Sequence, residues 1–519
     1  MPESELPKGY RPELPASVDL KRDFAEYHAS CKVDNGVLIA ERRMITKMRS
    51  VPVSEFQEYK SFLKSINDER NQYIVLSSAA EHKATAEHSP LSMANAVWNL
   101  PASSSEAAQQ AENESREAFQ RGDVQSGIAS LQRAINADPK FTRARLLLGG
   151  AYFGSMDPDA GLQQYRKAIS EDPKEPLAYK MLAFAQLGMG TSEAAIKTWQ
   201  ELLKVAPDDG DAAANLGSLL LSKKNFSEAV SLLGSAVKRN PESSRLQLQF
   251  GIASLHTGNK EQGAAALLKS ADLNPDVGNL NNVAYELADD NQKLPEALEY
   301  AKKAVKQVEE DSQDVKLDSL EGRDLNRVIQ IGMYWDTLGW VYFRMGDLEN
   351  AAKFLSASWT LTQDAVVGDH LGQVYERQHK PAVAIHTYAL ALANGGNVGE
   401  RRQRLLRLLG SASRADGAVN SAREELGRLR TVRVSRVISS GSAEFFLLFA
   451  PGPKVESVRF ISGSEGLRPA TKTLAAAAYK VPFPDDGPTR LLRRGVLVCT
   501  SVTGCEFALF TPNSVHSVH

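Results

Sequence analysis

Proline recurs at positions 139, 173, 207, 241 and 275, each 34 residues after the last, in the strings N-A-D-P, S-E-D-P, V-A-P-D, R-N-P-E and L-N-P-D. A fixed period of this length marks a chain built from stacked supersecondary repeats, and it constrains the fold before any single motif does. With proline as position 32 of the repeat, position 8 falls on Gly149, Ala183, Gly217 and Gly251, and position 20 on Gly161, Ala195, Ala229 and Gly263. Large residues recur at position 7 (Leu148, Leu182, Leu216, Phe250) and position 24 (Tyr165, Trp199, Leu233, Leu267). Apolar residues three and four apart predict two helices per repeat, and the strings G-S-M-D-P-D, G-M-G-T-S, S-K-K-N and H-T-G-N-K predict a turn between them. Proline lacks the N–H that a continuing helix needs and restrains the residue before it, so it ends the second helix of each hairpin.

The strings L-L-L-G-G-A-Y, Y-R-K-A-I-S-E-D-P and W-D-T-L-G-W-V-Y-F-R-M-G-D carry this pattern, which resembles the tetratricopeptide repeat. The resemblance implies a mainly α fold, a tetratricopeptide-repeat superhelix of about eight helical hairpins within residues 105–398. The interval from Ala284 to Leu338 is too long for one repeat by about 20 residues, which places an insert near 312–331, in a loop or an extended helix. Residues 399–430, with R-R-Q-R-L-L-R-L-L-G and A-R-E-E-L-G-R-L-R, are expected to form capping helices with basic outer faces.

The flanks are of another kind. Residues 1–16 are expected to be a disordered tail, and 78–104, rich in Ala, Ser and His, a linker. Between them, alternating residues around D-N-G predict a β-hairpin. A helix capped by Ser54 follows, burying Phe56, Tyr59, Phe62, Leu63 and Ile66, and then the strand Q-Y-I-V-L. This segment, 17–77, resembles the tail that follows the catalytic core in bacterial multidomain transglutaminase-like proteins. Residues 431–515 predict a small α+β domain of strands, one helix and a final hairpin. Its V-R-F-I-S-G and F-P-D-D-G-P-T-R-L-L-R-R-G-V-L resemble the C-terminal domain of TonB-type energy transducers.

Composition narrows the function. The net charge is −2, and no apolar run approaches the roughly 18 residues of a membrane span. Neither nucleic acid nor a membrane-spanning role is expected. The N-terminus lacks the basic start and apolar core of a signal peptide, so the chain as it stands is expected in the cytoplasm, or in the periplasm as part of a longer exported parent. His28 and Cys31 are three apart on a strand and face opposite sides, and His370, His379 and His386 lack metal-ligand spacing and read as solvated helix residues. R-R-Q-R-L-L-R and R-L-L-R-R-G read as solvated faces. Cys499 and Cys505 flank a glycine-containing turn, where they either join in a cross-strand disulfide or stay reduced and half-buried.

No catalytic residue, cofactor or metal site is expected. In the family that the repeats resemble, the concave groove is lined by positions 2, 5, 9 and 12. These positions give Leu146, Phe153, Lys180, Phe184, Leu187, Leu221, Leu248, Ile252 and Leu255, and then Asn282, Glu286, Asp289, Asp336, Trp340, Asp369, Gln373 and Glu376. The first half is apolar and the second acidic. The expected function is a non-enzymatic scaffold binding an extended or helical protein segment in this groove, with its own flanking domains included as candidate partners. The alternative is an accessory C-terminal part of a transglutaminase-like or peptidase-like enzyme whose catalytic domain lies outside this chain.

Overall fold

In the computed structural model the described residues are 3–5, 10–13, 18–34, 37–48, 51–52, 55–70, 75–78, 96–395, 399–434, 439–452, 454–484, 487–500 and 504–512. They divide into two compact units, Met1–Leu219 and Leu220–His519.

The first unit opens with a four-stranded antiparallel sheet in the order Glu3–Glu5, Val37–Thr46, Ala25–Asp34, Val18–Lys21. Tyr10–Glu13 pairs separately with Val75–Ser78. Leu20, Phe24, Tyr27 and Ala29 of this segment are buried with Phe62 and Ile66 of the helix Phe56–Arg70. Phe24 meets Phe62 edge-on at 5.4 Å. Two expectations are corrected. The N-terminal tail contains paired strands, because a short strand needs only a free ladder edge and no apolar pattern of its own. Phe56 and Leu63 are exposed, since the sheet covers only one stripe of the helix. The final strand is described over Val75–Ser78, while Gln72, Tyr73, Ile74, Ser54 and the Asn35-Gly36 turn lie outside the described residues.

Of the expected linker, 79–95 lies outside the described residues, while 96–104 belongs to the first hairpins. Val97 is buried among Leu146, Leu162, Ala178 and Leu182. The guanidinium groups of Arg116 and Arg143 lie over the Trp98 ring, at 4.3 and 5.8 Å.

The hairpins follow as Glu106–Gln120 with Val124–Ala137, Thr142–Gly154 with Pro158–Glu171, Pro176–Gly188 with Ser192–Val205, and Gly210–Ser222 with Phe226–Arg239. Next come Ser244–His256 with Lys260–Leu273, Val277–Asp289 with Leu294–Ser312, Gly322–Met345 with Leu348–Thr362, and Ala365–Arg377 with Pro381–Ala393. With the first and second helices of a hairpin named helix A and helix B, the residue before proline is extended where helix B stops, with Asp138 at φ −142°, ψ 95° and Asn274 at φ −138°, ψ 93°. Turn aspartates cap the following helix: Asp123, Asp157 and Asp347 accept from the N–H of Ser126, Ala160 and Asn350.

Two reciprocal contacts close the hairpins Thr142–Glu171 and Ser244–Leu273, and one or the other recurs in further hairpins. A Cβ added at position 8 would lie 2.4 Å from the Tyr165 ring at Gly149, 2.7 Å from Leu267 at Gly251 and 2.3 Å from the Tyr388 ring at Gly372, in each case the large residue of position 24. Position 20 is closed by position 12: Phe119 covers Gly127, Phe153 covers Gly161 and Leu255 covers Gly263.

The insert lengthens both helices around it and adds a 3₁₀ turn, Leu317–Ser319. Its function in the fold is to dock the C-terminal domain. Val315 and Leu317 are buried, the Arg490 N–H donates to Ser312 Oγ at 2.8 Å, and Arg459 donates to the Leu317 carbonyl. That domain is a five-stranded antiparallel sheet ordered Thr431–Val434, Gly504–Leu509, Leu491–Thr500, Gly441–Ala450, Lys454–Gly463. Residues 435–438 of the expected first strand lie outside the described residues. R-L-L-R-R-G is a strand rather than a solvated face. Arg490 pairs with Glu456 and Arg494 with Glu444. Arg493 is 3% exposed and donates to the Phe510 carbonyl. Burial, with Arg430 nearby, pulls its pKa down to about 10. Cys499 and Cys505 sit opposite each other in the terminal hairpin and are joined by a disulfide, leaving Cys31 free.

Two outcomes test this architecture. Gly263→Ala would set a methyl 2.9 Å from the Gly251 carbonyl oxygen. It should destabilise the chain by about 1–3 kcal/mol in urea denaturation. Gly154→Ala, with nothing within 4 Å, should be neutral or stabilising by up to about 1 kcal/mol. Thiol titration of unfolded protein kept free of reductant should count one thiol; three would show that the terminal hairpin carries no disulfide.

Candidate protein-binding face

The first helices of repeats six to eight, Val277–Asp289, Gly322–Met345 and Ala365–Arg377, carry the acidic positions. The helix Gly399–Leu409 follows as the first helix of a ninth hairpin, completed by Ala412–Leu429. Together they line a cleft of about 790 Å³ whose walls include Asp289, Trp340, Asp369, Glu376, Arg404 and Arg407.

Its base is an aromatic and charged stack. His370, expected in solvent, is 5% exposed, and its Nδ1–H donates to Asp336 at 2.9 Å, one repeat away. The Trp340 ring lies on His370 at 4.0 Å and on Phe343 at 4.9 Å, with the Arg377 guanidinium over Phe343 at 4.3 Å. Trp340 is buried, and its Nε1–H has no hydrogen-bond partner among the described residues.

The basic face of Gly399–Leu409 is turned onto the acids, which corrects the expectation of a solvating cap. Arg404 pairs with Asp369, Arg407 pairs with Glu376 at 2.8 Å, and buried Arg401 lies 3.8 Å from Asp369, too far for a hydrogen bond. The exposed Arg407 pair stabilises by at most about 1 kcal/mol. Partly buried Asp369 depends more on its partner, because a carboxylate removed from water without a counter-charge is strongly unfavourable. Toward repeat six the acids are less engaged: Arg344 is 3.9 Å from exposed Asp289. Burial, with repulsion from Asp289 adding, pushes the Glu286 carboxyl up to about 7.

The expected groove residues separate by burial. In the first unit Leu146 is wholly buried, Phe153 and Phe184 pack on Tyr165 and Trp199, and Lys180 pairs with Asp209 at 2.7 Å, while Leu187 is half-buried. In the second unit Leu221, Leu248, Ile252, Asp369, Gln373 and Glu376 are half-buried and Asn282 is exposed. Leu255, Asp336 and Trp340 are buried and serve the packing. Arg344, Arg377 and Arg404 line the cleft and were missed by the position rule. Continuing the 34-residue register from Gln373 into the arginine-rich string would have pointed to Arg407, which also lines the cleft.

Among the described residues no group of three or more His, Cys, Asp or Glu is placed to hold a metal, and no helix is long and apolar enough to cross a membrane.

Helical hairpins repeating at this spacing define a repeat protein. Residues 113–176 and 153–219 match two tetratricopeptide repeat models, and residues 3–76 match a domain of unknown function with a solved structure. Residues 113–219 therefore carry tetratricopeptide repeats, and the array is in general terms a scaffold for protein interaction. Similar solved structures include a tetratricopeptide repeat protein from Parabacteroides merdae, 17% identical, covering 59% of this chain and 100% of that one with a TM-score of 0.31. MamA from Desulfovibrio magneticus is 20% identical, covering 34% of this chain and 97% of that one, TM-score 0.30. YrrB, described as having an unusual peptide-binding site, is 18% identical, covering 37% and 95%, TM-score 0.28. No curated protein matches.

The Glu286 carboxyl titrates above its ordinary 4.5 in the folded chain, so between that value and about 7 the native state holds the extra proton. Stability contributed by the neutral acid is full below the unfolded pKa and is lost as pH rises through about 7. Glu286→Gln should therefore leave stability nearly unchanged at pH 4 and raise it at pH 8, as read by urea midpoints at both pH values.

Proposed function

We propose that this protein is a non-enzymatic scaffold whose helix-A face in repeats six to eight binds a basic protein segment. The observation that supports this reading is the chain's own basic helix, which lays Arg404 and Arg407 on Asp369 and Glu376. The face thus already accepts guanidinium groups on a helical carrier. In repeat six, exposed Asp289 has Arg344, at 3.9 Å, as its ion-pair partner among the described residues. Half-buried Leu248 and Ile252 add apolar contact on the neighbouring repeat. Apolar area supplies affinity, whereas the acids choose a basic partner and speed its encounter.

The test uses the full chain and two labelled helical peptides, one Arg/Leu-rich and one with every Arg replaced by Glu. The Arg peptide should bind, the Glu peptide should not, and Asp289→Lys should weaken binding at least tenfold without moving the thermal midpoint. Equal binding of both peptides, or none by either, would overturn the proposal.

A further inference from the structure

The strand Lys454–Gly463 is an outer strand of the C-terminal sheet, paired among the described residues only with Gly441–Ala450. Its other edge makes no backbone hydrogen bond among the described residues. An unpaired edge of this length is a template for another strand, and proteins normally shield it. Here the shielding is partial. Two register shifts set Glu456 and Ile461 out of the ladder, since Leu448 faces Ser457 while Phe449 faces Val455, and Glu444 faces Ser462 while Phe445 faces Phe460. Bulges of this kind bend an edge away from long sheet-to-sheet pairing. They leave the regular stretch from Ser457 to Phe460 between them.

A cleft of about 790 Å³ runs beside that stretch, walled by the insert at Val315–Ser319 on one side and by Arg468 and Thr471 on the other. Phe460, Val458 and Leu448 give it apolar surface. Its charges are unequal. Arg490 is matched by Glu456 at 2.9 Å and Arg468 by Glu465 at 2.8 Å. Lys316 and Arg459 have no carboxylate partner among the described residues, Arg459 donating only to the Leu317 carbonyl, and they outnumber the one unmatched acid, Asp318.

We propose that this cleft is a second interaction site, which takes a short extended protein segment of alternating apolar and acidic residues as an added strand on Ser457–Phe460. Main-chain hydrogen bonds to the free edge would give affinity, apolar side chains of the segment would lie on Val458 and Phe460, and the acidic ones would meet Lys316 and Arg459. This site is independent of the acidic helix-A face and selects the opposite charge.

The test uses the full chain and blocked nine-residue peptides of alternating Val and Glu, or Val and Lys, with a fluorescent label. The Val/Glu peptide should bind, more weakly as salt rises, and should protect the amides of 457–460 from hydrogen exchange. Lys316→Glu alters only an exposed, unmatched charge and should weaken binding at least threefold; adding Arg459→Glu should bring the loss to at least tenfold. Asp289→Lys should leave it unchanged, which separates this site from the helix-A face. Equal binding of the Val/Lys peptide, binding unaffected by the double variant, or protection elsewhere than 457–460 would overturn the proposal, as would no binding by either peptide.

Discussion

Everything in the array depends on the reciprocal contact inside its hairpins, in which a residue without bulk on one helix receives a large side chain from the other. Gly149 against Tyr165 and Gly161 against Phe153 do this in one repeat, and Gly251 against Leu267 and Gly263 against Leu255 in another. Because the contact is made twice, in opposite senses, it sets both the separation of the helices and their rotation. The same two contacts leave the remaining faces of the first helix free for neighbouring repeats and for partners. Phe153 and Leu255 stand where groove residues are counted, yet they are the lids of these contacts. Their side chains belong to the packing first.

The insert shows how a periodic array acquires a non-periodic domain. Lengthening Leu294–Ser312 and Gly322–Met345 breaks the 34-residue spacing, but the second unit's apolar core continues from the hairpins through Val315 and Leu317 into the C-terminal sheet. Backbone groups freed at the break are taken by that sheet. Arg459 reaches the Leu317 carbonyl and Arg490 the Ser312 hydroxyl and the Gln313 carbonyl. The docked domain in turn forms one wall of the positively charged cleft.

Charge organises the second unit with the same economy. An acidic helix face would repel itself, and here it is met by arginines one repeat further along, Arg404 on Asp369 and Arg407 on Glu376, and by the imidazole of His370 on Asp336. Neutralisation weakens at repeat six, where Arg344 stands 3.9 Å from exposed Asp289. That difference turns a structural arrangement into a graded surface, neutral where the chain covers itself and acidic beyond.

By itself the sequence determined the hairpin repeat, the positions of its turns, the small and large residues that interlock, and the insert, because all of these are spacings within a few dozen residues and helix geometry converts spacing directly into faces. It also carried the terminal hairpin, whose two cysteines are six apart. Only the tertiary structure decided which groove positions are buried, that His370 and the arginine string face acids rather than water, and that the tail strands find partners. Burial and charge pairing depend on what packs from elsewhere, and the decisive contacts here span long separations, 142 residues for Arg459 and Leu317 and 178 for Arg490 and Ser312. A periodic pattern records how each repeat meets itself, whereas an ion pair or a free sheet edge exists only once distant segments have been brought together.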